Sequence, residues 1–314
     1  MSHDFQSRKA LAAARLMQLL PLFPQWETLF FNVMRTPVHE TPTRVWDLLR
    51  AVAQETYDDE LRAPFLDLYF RHPVKALLRG TTVLDIGSSV GGRSVRLAKA
   101  LGLRLIGIDI VPQDNTVALE FARAKGVHFG PLTARAEALP FRDASFENIV
   151  TYDGLEHVAD LGAVLKECRR VLVPGGHLIA VFPPFFNPLE SHLVVSALPC
   201  LHWLFSGPVL TRAQYEIARR RGWPPDLIPS TLEPWERMPT LNGVTCASFG
   251  QLVNEQGWEI KYRRYAPLFT TGRRARELLV FRLLRLVGKV LGVLPLLREL
   301  VTDRLVYVLR NPAV

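Results

Sequence analysis

With 314 residues, 48% of them apolar and 22% charged, the chain has the length of about two domains and the composition of an ordinary globular protein, which excludes wholesale disorder, collagen and coiled coil. Its three cysteines, Cys168, Cys200 and Cys246, are far apart and free of any C-x-x-C spacing, so no disulfide framework and no metal cluster is indicated, and a reducing, cytoplasmic compartment fits. The net charge of +8 is local: residues 261–298 hold ten Lys and Arg against one Glu, which argues against a nucleic-acid binder and for one cationic surface.

The apolar stretch 10–23 carries Arg15, follows Asp4 and lacks a small-residue cleavage site, so it reads as a helix and not as a signal peptide. Residues 1–80 continue as helices broken at Pro21, Pro24, Pro37, Pro42 and Pro73, with a last apolar stripe at Leu61, Phe65, Leu68 and Phe70; this is a helical cap or lid. From 82 onward short apolar runs alternate with helical stretches. The runs 82–86, 104–109, a weaker one at 127–129, 146–152 and 177–182 read as strands of βαβ units on a parallel sheet. Between the last two, Val158, Leu161, Val164, Leu165, Cys168, Val171 and Leu172 form a helical stripe ending at Pro174-Gly175-Gly176. Residues 184–243 are irregular and proline-rich; within them the uncharged run 191–211 is interrupted by His192, Pro199, His202 and Pro208, so an interfacial or buried segment is expected there in place of a membrane span. The strand pattern resumes at 258–265 and 304–309, an antiparallel edge pair.

The segment Val83-Leu84-Asp85-Ile86-Gly87-Ser88-Ser89-Val90-Gly91-Gly92 follows the first strand and opens a helix, the position at which open α/β sheets bind ligands. Its glycines let the chain turn sharply and let a ligand approach the main chain. Asp85, two residues ahead of the first glycine, would repel a pyrophosphate but suits an ammonium near a sulfonium. Asp109, 24 residues downstream at the end of the second strand, is placed to accept hydrogen bonds from ribose hydroxyls. The pair describes S-adenosylmethionine and excludes an NAD-dependent enzyme.

These motifs, with Ile106-Gly107-Ile108-Asp109, the Ala136-Glu137-Ala138-Leu139-Pro140-Phe141 stretch, Asp143-Ala144-Ser145-Phe146-Glu147, Glu156-His157 and Leu172-Val173-Pro174-Gly175-Gly176, come in the order found in class I S-adenosylmethionine-dependent methyltransferases. The chain resembles that superfamily, and most nearly its ubiquinone/menaquinone-biosynthesis-like branch (type 11), over about 80–183, with weaker agreement at 241–267 and 303–312. The resemblance implies an α/β fold: a Rossmann-like, doubly wound, seven-stranded, mostly parallel sheet with an antiparallel edge hairpin, plus a helical N-terminal cap and inserts. On this basis the chain divides into a cap at 1–80, a cofactor-binding core at 81–183, a substrate-lid insert at 184–243, and the end of the sheet at 244–314 with an amphipathic helical insert at 270–303. It further implies that S-adenosylmethionine is held by Asp85, Gly87, Ser89, Gly91, Asp109, Ile110, Ala136, Glu137 and Asp153. Two positions depart from the family: Ser89 stands where the middle glycine of G-x-G-x-G is usual, and Arg135 stands where an acidic residue usually meets the adenine amino group. Arginine has no acceptor, which leaves the backbone of Ala136 and the carboxylate of Glu137 to read the adenine.

Methyl transfer from a sulfonium is an in-line displacement in which positioning supplies much of the rate. Where the acceptor is an alcohol or phenol, a histidine is the natural base. His157, past the fourth strand, and His192, past the fifth, lie on the ligand side; His177 starts the fifth strand at the opposite end and reads as structural. Asp153 and Glu156 are further candidates for orienting the substrate. Pro183-Pro184-Phe185 follows the fifth strand and not the fourth, so it is not the amino-group methyltransferase signature.

In the insert, Arg282, Arg285 and Lys289 recur at helical spacing among Leu279, Leu283, Leu284, Leu286, Val287 and Val290, with Arg273, Arg274 and Arg276 ahead of them. Two readings stand: a core or dimer helix with solvated arginines, or a peripheral contact with an anionic membrane through 273–298. The expected activity is methyl transfer to an oxygen, or a carbon, of a small lipophilic or lipid-linked acceptor. The alternatives are a catalytically idle membrane-associated scaffold and, as acceptor, a sugar of a glycan or glycolipid.

Overall fold

In the computed structural model, which describes residues 3–18, 43–62, 68–70, 76–78, 80–189, 199–220, 222, 241–270 and 279–312, the apolar runs assemble into one sheet. Its strands are β1 (Thr82–Ile86), β2 (Arg104–Asp109), β3 (Phe129–Thr133), β4 (Phe146–Tyr152), β5 (Leu172–Phe182), β6 (Glu259–Pro267) and β7 (Thr302–Arg310), in the order β3-β2-β1-β4-β5-β7-β6. β1 to β5 are mutually parallel, and β7 runs antiparallel to both β5 and β6. The expected doubly wound sheet with an antiparallel edge hairpin is therefore present.

Alternate residues of each strand feed two cores. Leu84, Ile86, Ile149, Leu178, Leu305 and Tyr307 join the helices α5 (Leu161–Val171) and α8 (Cys246–Glu255) on one face. Val83, Leu105, Val150, Ile179, Val306 and Val308 join α3 (Gly92–Leu101) and α4 (Pro112–Lys125) on the other. Burial on both sides explains why the central strands read as unbroken apolar runs.

The remaining helices lie around this frame. α1 (His3–Met17) packs through Ala13, Ala14 and Met17 on α7 (Gly207–Arg220), whose Leu210, Ala213 and Ile217 it buries, and both touch the short α6 (Leu201–Leu204) through Leu201. α2 (Thr43–Arg62) lays Val45, Leu49 and Ala53 on Val90 of the glycine-rich loop and on Val117. The insert between β6 and β7 holds α9 (Leu279–Leu291) and α10 (Pro295–Val301).

Three expectations shift. The stripe Leu61, Phe65, Leu68 and Phe70 is divided: α2 ends at Arg62 and buries Val45, Leu49, Ala53 and Tyr57 while Leu61 is 50% exposed, whereas Phe70 is buried in the second core with Leu68 packed against it, and at the last turn of α2 Glu60 faces α3, ion-paired with Arg93 at 3.1 Å. Phe65 lies outside the described residues. The third strand begins at Phe129, not Val127, because Gly126 caps α4 in the left-handed conformation; its sequence Phe-Gly-Pro-Leu-Thr is weakly apolar because β3 is an edge, where proline is tolerated. Pro174-Gly175-Gly176 is a bulge within β5 and not a turn before it: Phe146 pairs with Leu172 and Asn148 with His177.

Candidate active site

The sheet order reverses between β1 and β4, and ligands of open α/β sheets bind outside the strand ends at such a switch point. β1 delivers Asp85 there, and the loop after it turns back through Gly87 at φ +77 and Gly91 at φ +75, both in the left-handed region. The amides of Gly87 and Ser88 donate to the carbonyl of Ile108 at 2.9 and 3.1 Å, clamping the loop to β2. At Gly91 a Cβ would stand 2.7 Å from that of Ala118, and at Gly92 one would overlap the Thr56 hydroxyl and the Ala53 carbonyl oxygen. The two glycines thus admit α4 from one side and α2 from the other, and α2 sits directly on the loop.

Asp85 accepts the Ser94 hydroxyl at 2.5 Å. Burial pushes its carboxyl up to about 6, offset by the Ser94 hydroxyl and the Arg93 charge and reinforced by Asp109. Asp109 accepts the amides of Ser89 and Val111, each at 3.0 Å. Ser89, at φ +46, turns its hydroxyl to Asp114 at 2.8 Å, so the residue that departs from the family pattern holds two carboxylates at once. Burial raises Asp109, while its amide donors oppose that rise. Burial and then the Asp109 charge bring Asp114 up to about 7. Three carboxylates are therefore held in a low-dielectric corner at a cost that a cationic ligand would relieve.

The other expected residues fall as follows. Ile110, next to Asp109, is 50% exposed, an apolar surface beside that carboxylate. Ala136 is buried, whereas Glu137 accepts the amide of Ala159 at 2.9 Å and faces Arg135 at 3.7 Å, so its carboxylate is committed within the protein. The Arg135 side chain is 56% exposed. His157 is exposed beside the buried Glu156, at 3.8 Å. His192 lies outside the described residues, as do Arg273, Arg274 and Arg276. His177 meets the carbonyl of Leu77 at 3.2 Å, in keeping with a structural role.

Asp153 is drawn into a network that sequence reading missed. It sits at φ +49 just past β4, and its carboxylate meets Nε of Arg304 at 2.9 Å; Arg304 also binds Asp303 at 3.0 Å. Arg304 is 5% exposed, and next to it burial raises the phenols of Tyr69 and Tyr152 well above the ordinary range, keeping both protonated. The Arg93 guanidinium stacks 4.1 Å over the Tyr152 ring. Nothing in the sequence around Arg304 marks it: it is one arginine in a basic region, brought to β4 by the antiparallel return of β7.

Past β5 an aromatic group gathers. Phe185 and Phe186 lie edge to face at 5.3 Å, Phe186 and Trp203 at 6.1 Å, and Nε2 of His202 meets the Phe185 carbonyl at 2.7 Å. Phe186 and Trp203 are each 38% exposed, so apolar rings reach solvent at the ligand end of the sheet. Asn187 ties this loop to β7 through the Asp303 carbonyl at 3.1 Å.

Sheet order, loop and carboxylate placement together define a class I S-adenosylmethionine-dependent methyltransferase domain. The donor set fits that cofactor: Asp85 can offer a carboxylate to an ammonium, the oxygens of Asp109 keep lone pairs for a vicinal diol, and Gly87 leaves room at the main chain. Residues 84–180 match the methyltransferase domain family (type 11). The chain is 36% identical over 131 residues to the demethylmenaquinone methyltransferase of Thermus thermophilus, covering 40% of this chain and 60% of that one. It is 32% identical over 132 residues to the norajmaline N-methyltransferase of Rauvolfia serpentina, covering 41% and 43%. With the ubiquinone biosynthesis O-methyltransferase of Cereibacter sphaeroides it shares 29% over 196 residues, covering 60% and 74%. The chain thus spans less than two thirds of the first two relatives. Residues 84–180 therefore form a type 11 methyltransferase domain, and the relatives this chain is similar to include a demethylmenaquinone methyltransferase and a ubiquinone biosynthesis O-methyltransferase.

Proposed function

We propose that this protein transfers a methyl group from S-adenosylmethionine to an oxygen, or alternatively a carbon, of a small lipophilic acceptor of hydroquinone type. The observation that carries the reading is the pair Asp85 and Asp109 at the ends of adjacent strands β1 and β2, within the segment that matches the methyltransferase family. Two of the relatives above bear quinone-biosynthesis names, and the exposed rings of Phe186 and Trp203 suit an apolar ring or tail.

When bound, the cofactor supplies an electrophilic methyl group on a sulfonium. The chain's own residues do the rest. Asp85 neutralises the amino end, Asp109 fixes the ribose, and the turn at Gly87 lets the ligand approach the main chain. Arg304 holds Asp153 where β4 ends, beside the space an acceptor would enter. His157, exposed next to Glu156, is the proton acceptor for a phenol that enters on that side. Transfer of tritiated methyl to a panel of prenylated hydroquinones, with S-adenosylhomocysteine titrated by calorimetry, tests the reading. Label in the quinol fraction is the expected result; binding without label in any lipophilic acceptor refutes the acceptor class, and absence of binding at millimolar ligand refutes the whole.

A further inference from the structure

We infer that the insert between β6 and β7 is a docking face for an anionic lipid surface. The insert leaves the sheet at Pro267 and returns at Thr302, which pair with each other; Leu305 of β7 pairs with Phe182 at the end of β5. It therefore stands at the end of the sheet where the cofactor loop and the aromatic group lie.

Its orientation is the reverse of an ordinary surface helix. The contacts that anchor it are small, aromatic or polar. A Cβ on Gly288 would stand 3.3 Å from Pro267, Phe281 packs on Phe269 at 4.9 Å, and the Arg298 guanidinium lies 4.7 Å over the Tyr265 ring. Glu299 accepts the amides of Cys246 and Ala247 at the start of α8, each at 2.9 Å. Most of what α9, α10 and the turn between them present to solvent is aliphatic: Leu279, Leu283, Leu286 and Val290 are 55–69% exposed, Val293 72% and Leu296 87%. A water-facing helix shows polar residues on that side, and a contiguous apolar surface of this kind marks an interaction site.

Charge chooses the occupant. Arg282 and Lys289 flank the apolar face at i and i+7, Arg285 between them reaches the Phe269 carbonyl at 3.4 Å, and residues 279–298 contain no acidic side chain. A second copy seated symmetrically would bring like charges together. An anionic bilayer surface takes up both the aliphatic face and the cations. The contact is interfacial, because among the described residues no helix is long and apolar enough to cross a membrane.

The test is flotation of the full chain with vesicles of phosphatidylcholine alone or with about one third phosphatidylglycerol. The protein is expected to float with the anionic vesicles, less with the neutral ones, and less again in raised salt. In the double variant Leu283→Glu, Val287→Glu the bound fraction falls at least about tenfold, while Arg282→Gln, Lys289→Gln removes the anionic preference. Both variants keep the wild-type melting temperature and the wild-type affinity for S-adenosylhomocysteine, so a folding defect is not mistaken for the result. A wild-type chain that stays out of both vesicle fractions overturns the inference, as does a solution dimer dissociated by the Leu283→Glu, Val287→Glu variant. No turnover is needed, so the outcome is separate from that of the acceptor assay.

Discussion

Replacing Asp85 by Asn exchanges a charge for a near-isosteric amide that still accepts the Ser94 hydroxyl, and it separates two opposite effects of that charge. Burial raises the carboxyl from 3.8 to about 6. Roughly two pH units at about 1.4 kcal/mol each amount to at most about 3 kcal/mol lost from the unliganded fold at neutral pH. The native state binds this proton more tightly than the unfolded chain does, so the contribution to stability is complete below about pH 4 and is lost as pH rises through about 6. Unliganded Asp85→Asn is therefore expected to melt above wild type at pH 7.5, with the difference vanishing near pH 4. Ligand binding moves the other way. An ammonium about 4 Å from a carboxylate gains about 4 kcal/mol at an effective dielectric of 20 and about 2 at 40, so affinity for S-adenosylhomocysteine falls by about 30- to 1,000-fold. Between pH 7 and 5 wild-type affinity drops about tenfold as Asp85 takes its proton, and the Asn variant loses that part of the slope. Asp114→Asn, measured alongside, accounts for the carboxyl that titrates at about 7. The reasoning fails if titration calorimetry finds Asp85→Asn within threefold of wild type, or if scanning calorimetry finds the unliganded variant less stable at pH 7.5.

Other outcomes follow from the same geometry. Asp109→Asn removes a charged acceptor and should weaken S-adenosylhomocysteine about 10- to 100-fold, with a deoxyribose analogue losing less in the variant than in wild type; equal losses would show that the carboxylate does not meet the sugar. Arg304→Gln leaves Asp153 and Asp303 without their guanidinium and should cost about 3–5 kcal/mol in urea denaturation, and Arg304→Lys less. A loss under about 1 kcal/mol would mean that the network is not what holds the end of β4. Gly92→Ala places a methyl group against the Ala53 carbonyl, so α2 must back away at a cost of about 1–3 kcal/mol; amide exchange should rise along 43–62, and unchanged protection there would refute the tight contact.

Much of the fold was legible because the strands at its centre are buried on both faces and so declare themselves without help from neighbours. The edge strand β3 did not, since Gly130 and Pro131 belong to a margin that needs no apolar run. Of the candidate site, Asp85, Asp109 and the turning glycines were readable because the chemistry requires them within a few residues of a strand end. The role of Ser89 was not: only its left-handed backbone shows that a serine can satisfy Asp109 and Asp114 together. Arg304 was invisible for a topological reason, as its partner Asp153 is 151 residues away and the pairing exists only once β7 has come back alongside β5. The insert's amphipathic character was plain in the sequence, but which of its faces looks outward was decided by Gly288, Arg298 and Glu299.

The reach of the Arg304 side chain from β7 to the end of β4 also bears on the order in which the network is completed. The counter-ion for Asp153 lies 151 residues after it, whereas Asp85, Gly87, Gly91 and Asp109 all precede it, so a chain made from its N-terminus holds these glycines and carboxylates long before Asp153 meets its arginine. Completion of this network is thereby tied to the pairing of β7 with β5, and a variant that cannot seat β7 would keep Asp85, Asp109 and the turning glycines while losing Arg304 from beside Asp153.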